Sequence, residues 1–366
     1  MDTRVPATEP TDDQIGLFAY LVATQMSGAV TAGMIHLGDR LGLFRTLHAA
    51  DGPLTAGELA GATGLVERWV REWAYNQAAA GVVVADTSGD DERFSLAPAA
   101  VPVLVDEEHE ACLVGMFHHL PATMAKLEVL PDSFRTGVGH DYDSHGPEAA
   151  IGIERTFEPW MAAHLVPDVL PLLDGVVERL TAGTGVADIG CGSGGAVLQM
   201  ARAFPASRFT GYEISRHALD RAAERLEASG LANVAFADPR DAPVPTDGSL
   251  GLVTTFDCLH DMTDPAGMMH TIRAALAAEG TWLVADMKAH PTFAENVERN
   301  PMAALMYGTS VLSCMSSALS EPGGAGLGTL GLSPDRIEAM ARAAGFTRFR
   351  RLEVDHPVNA YYEIRR

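Results

Sequence analysis

The chain is poor in positive charge, in cysteine and in long apolar runs. Its 366 residues carry 26 Lys+Arg against 48 Asp+Glu, a formal net charge of −22. Nucleic-acid backbones and anionic lipid surfaces are bound through basic faces, so this balance argues against both as partners. Four cysteines occur, Cys112, Cys191, Cys258 and Cys314, and no two lie within fifty residues of each other. That spacing excludes a CxxC zinc or redox pair. The opening MDTRVPATEPTDD is polar and has no apolar signal core, so reduced thiols in a cytoplasm are expected. One stretch, Gln14 to Gly38, lacks any formal charge. Thr24, Gln25, Ser27, Thr31 and His36 dilute it, whereas a spanning helix wants about 20 mostly apolar residues. A helix apolar on all sides is expected to be buried between other helices or subunits.

What is present suits an ordinary globular chain of two domains or three pieces, with 47% apolar and 20% charged residues. Residues 1–13 read as a disordered polar tail. Helical spacing follows to about Leu47. Thr55 with Glu58 forms a capping-box pattern, Gly64 marks a turn, and Val66, Trp69, Val70 and Trp73 recur at helical spacing. VVVAD, a TSGDD turn and ERFSL then read as a hairpin. Two helices followed by a hairpin predict a winged helix. Residues 1–110 carry six Arg and no Lys against seventeen Asp+Glu, so this winged helix lacks the charge that DNA binding needs. Dimerisation or substrate gating is expected of it instead, across residues 1–105. A helical segment, 106–180, is expected to line a substrate pocket. From 181 to 366 strands and helices alternate, with an insertion at about 288–332. That alternation predicts a parallel α/β sheet, and the final pair RFRRLEVD and VNAYYEIR adds an antiparallel edge pair.

The first chemical motif is VADIGCGSGG. Asp188 precedes a glycine bend, Gly190-Cys191-Gly192-Ser193-Gly194, where the first strand of that sheet meets its helix. Glycines there let a backbone approach a ligand closely. A carboxylate two residues before the bend repels a pyrophosphate and suits a cationic ligand with an amino group and a sulfonium. Glu213 ends the second strand and is placed to accept both hydroxyls of a ribose. The alternative is a nicotinamide nucleotide binder, whose loop reads GxGxxG rather than the GxGxG found here.

These residues resemble the class I S-adenosylmethionine-dependent methyltransferases over about 184–366, and the winged helix adds a resemblance to bacterial winged-helix methyltransferases and small-molecule O-methyltransferases. The resemblance implies a Rossmann-like seven-stranded sheet with one antiparallel strand. It implies S-adenosyl-L-methionine as cofactor, held by Asp188, Gly190, Cys191, Gly192 and Gly194 at the methionine and by Glu213 and Ile214 at the ribose. Asp238 or Asp241 would reach the adenine, and Phe256 and Asp257 would wall the cofactor. A homodimer and a small-molecule acceptor are implied as partners.

The second motif is Cys258-Leu-His260-Asp261-Met-Thr-Asp264, after the fourth strand of the sheet. It resembles the His-Asp motif of those O-methyltransferases, in which the His is the general base. A neutral imidazole can take a hydroxyl proton at neutral pH. The alternative is structural: His260 braces the loop, Asp261 caps a helix, and Asp264 before Pro265 is itself a good N-cap. A related bacterial group C-methylates 2-oxo acids through a metal held by the corresponding His and a second His in the insertion. Here Ser313 and Cys314 stand where that second His is sought, so no metal is expected, with His290 and Cys314 as the conceivable substitutes. Tyr142 and His164 are the candidate substrate contacts from the helical segment. The run Gly323 to Gly331 reads as a lid or a tight turn. The resulting expectation is O-methylation of a small molecule with His260, and with it Asp261, as catalytic residues. A winged-helix regulator or a cofactor sensor is the reading from another class.

Overall fold

The computed structural model describes residues 9–366, and the chain divides into two compact units, Met1–Asp106 and Glu107–Arg366. Residues 1–8 of the expected tail lie outside the described range. At its other end the tail gives way to structure, because Thr11 caps a helix that begins at Asp12.

The first unit has four helices, α1 (Asp12–Arg40), α2 (Leu43–Ala49), α3 (Ala56–Thr63) and α4 (Glu67–Ala79). Three short antiparallel strands, β1 (Leu54–Thr55), β2 (Val84–Asp86) and β3 (Arg93–Ser95), pair in the order β1-β3-β2. The capping box forms as the spacing predicts. Thr55 Oγ1 accepts from the Glu58 N–H at 3.1 Å, and Glu58 Oε2 accepts from the Thr55 N–H at 2.8 Å. Leu43, Phe44, Leu59, Val70, Trp73 and Phe94 close the core. Trp73 meets Phe44 edge-on at 5.3 Å and donates its indole N–H to Met34 O at 2.8 Å.

α1 differs from expectation. Only Ile35, His36, Gly38 and Asp39 of its 29 residues are buried. Leu17, Phe18, Tyr20 and Met26 are each at least 66% exposed. Among the described residues of its own unit nothing covers its first five turns, and the helix is long and apolar enough to cross a membrane by length and composition. On α4, Arg71 pairs with Glu67 and Arg68 pairs with Glu72, each one helical turn away.

The second unit is built on seven strands: β4 (Gly185–Ile189), β5 (Arg208–Tyr212), β6 (Val234–Ala237), β7 (Leu250–Phe256), β8 (Leu276–Met287), β9 (Arg348–Leu352) and β10 (Asn359–Arg365). Their order is β6-β5-β4-β7-β8-β10-β9. The first five are parallel, and β10 runs antiparallel to both β8 and β9. β7 and β10 are buried along nearly their whole length, as strands covered on both faces must be. Two apolar layers result. Trp282, Ile272, Ile337, Tyr362 and Ile364 lie in one, and Leu170, Met200, Leu252, Leu283 and Tyr361 lie in the other. The order steps from β5-β4 outward on one side to β7-β8 on the other, so the carboxyl ends of β4 and β7 border the crevice in which open α/β sheets bind ligands.

Before this sheet runs a helical segment whose longest member is Pro147–His164. Residues 137–146, ahead of that helix, contain a one-turn helix, Tyr142–His145, capped by Asp141. The insertion is helical at Phe293–Arg299 and Ala303–Thr309 and then widens into a π-helical turn, Ser310–Cys314. The glycine run after it is a set of tight turns: Gly323, Gly326 and Gly328 have positive φ, and the Ala325 N–H is tied to Thr263 O at 2.9 Å.

Candidate active site

Two clusters meet at the carboxyl edge of the sheet. The first is the glycine bend after β4. Gly190, Gly192 and Gly194 all have positive φ. A Cβ on Gly190 would lie 2.6 Å from Cys258 Cβ, and one on Gly194 would lie 2.3 Å from the Phe236 ring, so both positions require glycine sterically as well as conformationally. Glu213 organises this bend. Its Oε2 accepts from the Gly192 N–H at 2.9 Å, and its Oε1 accepts from the N–H groups of Ile214 and Ser215 at 2.8 and 2.9 Å. Burial pushes its carboxyl up while those three donors pull it back. Asp188 is fully buried beside it. Burial pushes Asp188 up to about 7, the Thr254 hydroxyl at 2.6 Å opposes that, and the Glu213 charge adds to it. Among the described residues no cationic side chain pairs with Asp188 or Glu213.

The remaining predicted cofactor residues fall around this bend. Cys191 has its thiol pushed well up by burial and by Glu213. Ile214 is 47% exposed at the rim. Asp238 and Asp241 separate in character. Asp238 directly follows β6 and is held by Arg240, whose guanidinium also donates to Ile214 O at 2.6 Å, whereas Asp241 is exposed one turn further on. Phe256 packs against the apolar layer that contains Leu283 and Tyr361. Asp257 is the one non-glycine residue with positive φ, at 51°, among the described residues. Asn359 donates to its carboxylate. Burial and the nearby Asp286 push it up to about 7. A left-handed aspartate at a strand end is strained backbone of the kind that collects at functional sites.

The second cluster surrounds His260, in a single 3₁₀ turn after β7. The residue is 1% exposed. Its Nδ1 lies 2.7 Å from Asp286 Oδ1, and its Nε2 lies 3.0 Å from Asp261 Oδ1. Burial lowers the imidazole's proton affinity, but the two carboxylates outweigh burial and hold it well above the ordinary histidine range. Asp261 does not cap the following helix. Asp264 does, accepting from the Gly267 N–H at 2.8 Å, which leaves Asp261 turned to His260. The π-helical turn brings two more side chains. Cys314 approaches His260 and Asp261, and Ser313 Oγ lies 3.2 Å from His145 Nε2. His145 is pushed down to about 4, mainly by burial and then by Lys126.

Tyr142 links the clusters. Its hydroxyl is pushed up by burial and by the charges of Asp261 and Glu213, which belong to different clusters. With His145, Ala149 and Ile153 it lines a small cavity whose opposite wall is Gly192, Ser193 and Ser215. His164 is not part of this arrangement. As the last residue of the helix Pro147–His164 it sits about 27 Å along the helix from the Tyr142 end. Glu110 and Asp168 grip its two ring nitrogens.

Asp286 and His145 escape a reading of sequence alone. For Asp286 a signal existed: an acid closing the fifth parallel strand stands at the same edge as Asp188 and Glu213. For His145 there was none, since its approach depends on how the helical segment packs.

A methyltransferase-domain family profile matches residues 180–343, and a profile described as an Rv2258c-like winged HTH domain matches residues 29–104. Polyketide synthase ThaQ of Burkholderia thailandensis is 33% identical over 108 residues, covering 29% of this chain and only 5% of the synthase. Human N-acetylserotonin methyltransferase, solved in complex with SAM, superposes with a TM-score of 0.70 at 15% identity, covering 98% of this chain and 99% of that one. The mitomycin 7-O-methyltransferase MmcR gives a TM-score of 0.70 at 22% identity, covering 97% of this chain and 100% of its own. The chain therefore joins an Rv2258c-like winged helix-turn-helix domain to a methyltransferase domain, on the fold of the class I S-adenosylmethionine-dependent methyltransferases.

Proposed function

We propose that the protein transfers the methyl group of S-adenosyl-L-methionine to a hydroxyl of a small, largely apolar acceptor. The observation that carries this reading is the pairing of a cation-selective glycine bend with a carboxylate-oriented histidine at one sheet edge. When bound, S-adenosylmethionine supplies an electrophilic methyl on a cationic sulfur whose leaving group is neutral. The residues present fit such a group. Asp188 and Glu213 are buried carboxylates with no cationic partner among the described residues, which favours a cationic ligand over a pyrophosphate. Glu213 would hold the ribose, Gly190 to Gly194 the methionine part, and Asp238 the adenine in preference to the exposed Asp241.

On this reading His260 takes the acceptor's proton on Nε2, the nitrogen that Asp261 faces at 3.0 Å, once the proton that the two carboxylates hold there has been lost, while Asp286 on Nδ1 fixes the tautomer. Tyr142 and His145 form the facing wall and hold the acceptor in line. Positioning of that kind supplies much of a methyl transfer's rate. His164, held by two carboxylates at the distant helix end, has no part in it. The winged helix serves a homodimer rather than DNA. The ion pairs of Arg68 and Arg71 and the bare apolar turns of α1 support this, since a second copy would cover Leu17 and Phe18. Light scattering should find a dimer, and Phe18→Glu should weaken it; a monomeric wild type would remove that part.

Titration calorimetry and transfer of radiolabelled methyl onto a panel of phenols and alcohols test the main reading. Binding of S-adenosylmethionine and labelling of a hydroxyl are expected. Saturation by NADH without any binding of S-adenosylmethionine would overturn it, and cofactor binding without transfer to any acceptor would favour a sensor.

A further inference from the structure

We infer that the second unit carries a binding site for a small phosphate-bearing molecule, in a cavity of about 370 Å³ lined by Arg342, Arg348, Arg350 and Arg365 together with Asp174 and Glu363. The cavity lies at the end of the sheet away from the glycine bend. Arg365 closes β10 opposite Thr281, whereas the carboxyl end of β8 pairs with Asn359 at the start of β10. On β9, Arg350 and Arg348 stand opposite Glu363 and Arg365, so these four side chains share one face of the sheet.

Charge singles this place out. The chain as a whole carries −22, yet residues 336–366 hold seven arginines against four acids. The cavity lining sets four guanidiniums against two carboxylates. Planar guanidiniums match phosphate oxygens two at a time, which makes phosphate the anion best suited to such a lining.

Three of the four arginines are oriented from behind. Arg350 donates through Nε to the buried Glu363 at 2.9 Å and through Nη2 to Leu172 O at 2.7 Å. Arg365 has a side chain only 10% exposed and donates to Glu279 O at 3.2 Å. Arg342 donates to Glu338 Oε1 at 2.6 Å and to Thr347 O at 3.3 Å. A guanidinium has several N–H donors, so these bonds fix its direction and leave others for a ligand. Arg348 is different. It is 60% exposed, and its carboxylate partner, Asp174, stands 3.6 Å away. The same Asp174 lies 3.4 Å from Arg350 and is itself 58% exposed. Both contacts are long for a charged hydrogen bond, so Asp174 holds the place between the two guanidiniums only weakly. A phosphate there would give each of them a short charge-assisted bond and displace Asp174. Behind Arg365, the Nε of Arg179 is buried without a hydrogen-bond partner, and burial and then the charge of Arg365 push that guanidinium down. A nearby anion would relieve this crowding of positive charge.

The site is separate from the methyl-transfer reading, and neither rests on the other. Calorimetry of the full-length protein with sodium pyrophosphate in a low-salt chloride buffer tests it, with orthophosphate and sulfate as comparisons. One pyrophosphate per chain should bind, more tightly than either comparison ion, and its affinity should fall as salt rises. Arg348→Ala should weaken binding about tenfold or more. Asp174→Asn should tighten it, because the competing carboxylate is gone while the shape stays; a merely structural role for these arginines would give no such gain. Arg351→Ala removes the same charge from the opposite face of β9 and should leave affinity nearly unchanged. Melting curves show that each variant is folded. No binding by the wild type, or an equal loss in folded Arg348→Ala and Arg351→Ala proteins, overturns the site as an adventitious attraction of charge. Pyrophosphate held equally well by Arg348→Ala and expelled by S-adenosylmethionine would place it at the glycine bend and overturn the site as well. Calorimetry with S-adenosylmethionine on the same samples reports separately on the methyltransferase reading.

Discussion

Cofactor affinity should fall with acidity because of one residue, Asp188. Burial pushes its carboxyl up to about 7, against an ordinary value of about 3.9. A cationic ligand is attracted only to the ionised form, so binding drives the proton off. The sign follows directly. Above the free-state value the carboxylate is already charged and affinity is flat. Below it each binding event must expel a proton, and affinity drops by up to about tenfold per pH unit, or ~1.4 kcal/mol. Between pH 8 and 6 the ionised fraction falls from roughly nine-tenths to one-tenth, so the dissociation constant should rise about tenfold. Calorimetry at pH 6 in two buffers of different ionisation enthalpy should show about one proton released per S-adenosylmethionine bound. Asp188→Asn should bind weakly and lose most of the pH slope. Asp257 is also pushed up to about 7 and stands among the cofactor residues, so Asp257→Asn measures its share, and the slope that remains in that variant belongs to Asp188. A wild-type affinity that stays level from pH 6 to 8, with Asp188→Asn binding as tightly, would refute the reasoning.

Thr254→Val removes the hydroxyl that stabilises ionised Asp188, so cofactor affinity at pH 7 should fall while the isosteric core stays folded; calorimetry and a melting curve check both. Glu213→Gln should weaken cofactor binding tenfold or more, since a hydrogen bond to a charged group is worth about 1.5–3 kcal/mol and this carboxylate also anchors the bend. His260→Ala should lower turnover about 10²- to 10⁴-fold with cofactor affinity nearly unchanged, measured once an acceptor is found. Asp264→Ala removes a helix cap and should cost about 1 kcal/mol in urea unfolding, with no effect on cofactor binding.

The local parts of this protein were written into its sequence. The capping box at Thr55, the hairpin after α4, the glycine bend at Gly190 to Gly194 and the alternation that makes a parallel sheet each depend on residues a few positions apart. Periodicity and turn chemistry report such features directly. The exposure of α1 was not legible, because an apolar helix looks the same whether its cover comes from its own chain or from elsewhere. The surroundings of His260 were not legible either. Its partners are Asp286 on β8 and Cys314 in an insertion, brought to one point only when the strands order themselves and a π-helical turn rotates Cys314 inward. Likewise Tyr142 and His164, both plausible on paper, were separated by the length of one helix. Sequence spacing determines what a segment becomes; which distant side chains share a dry pocket is decided by packing, where burial and neighbouring charge then set their chemistry.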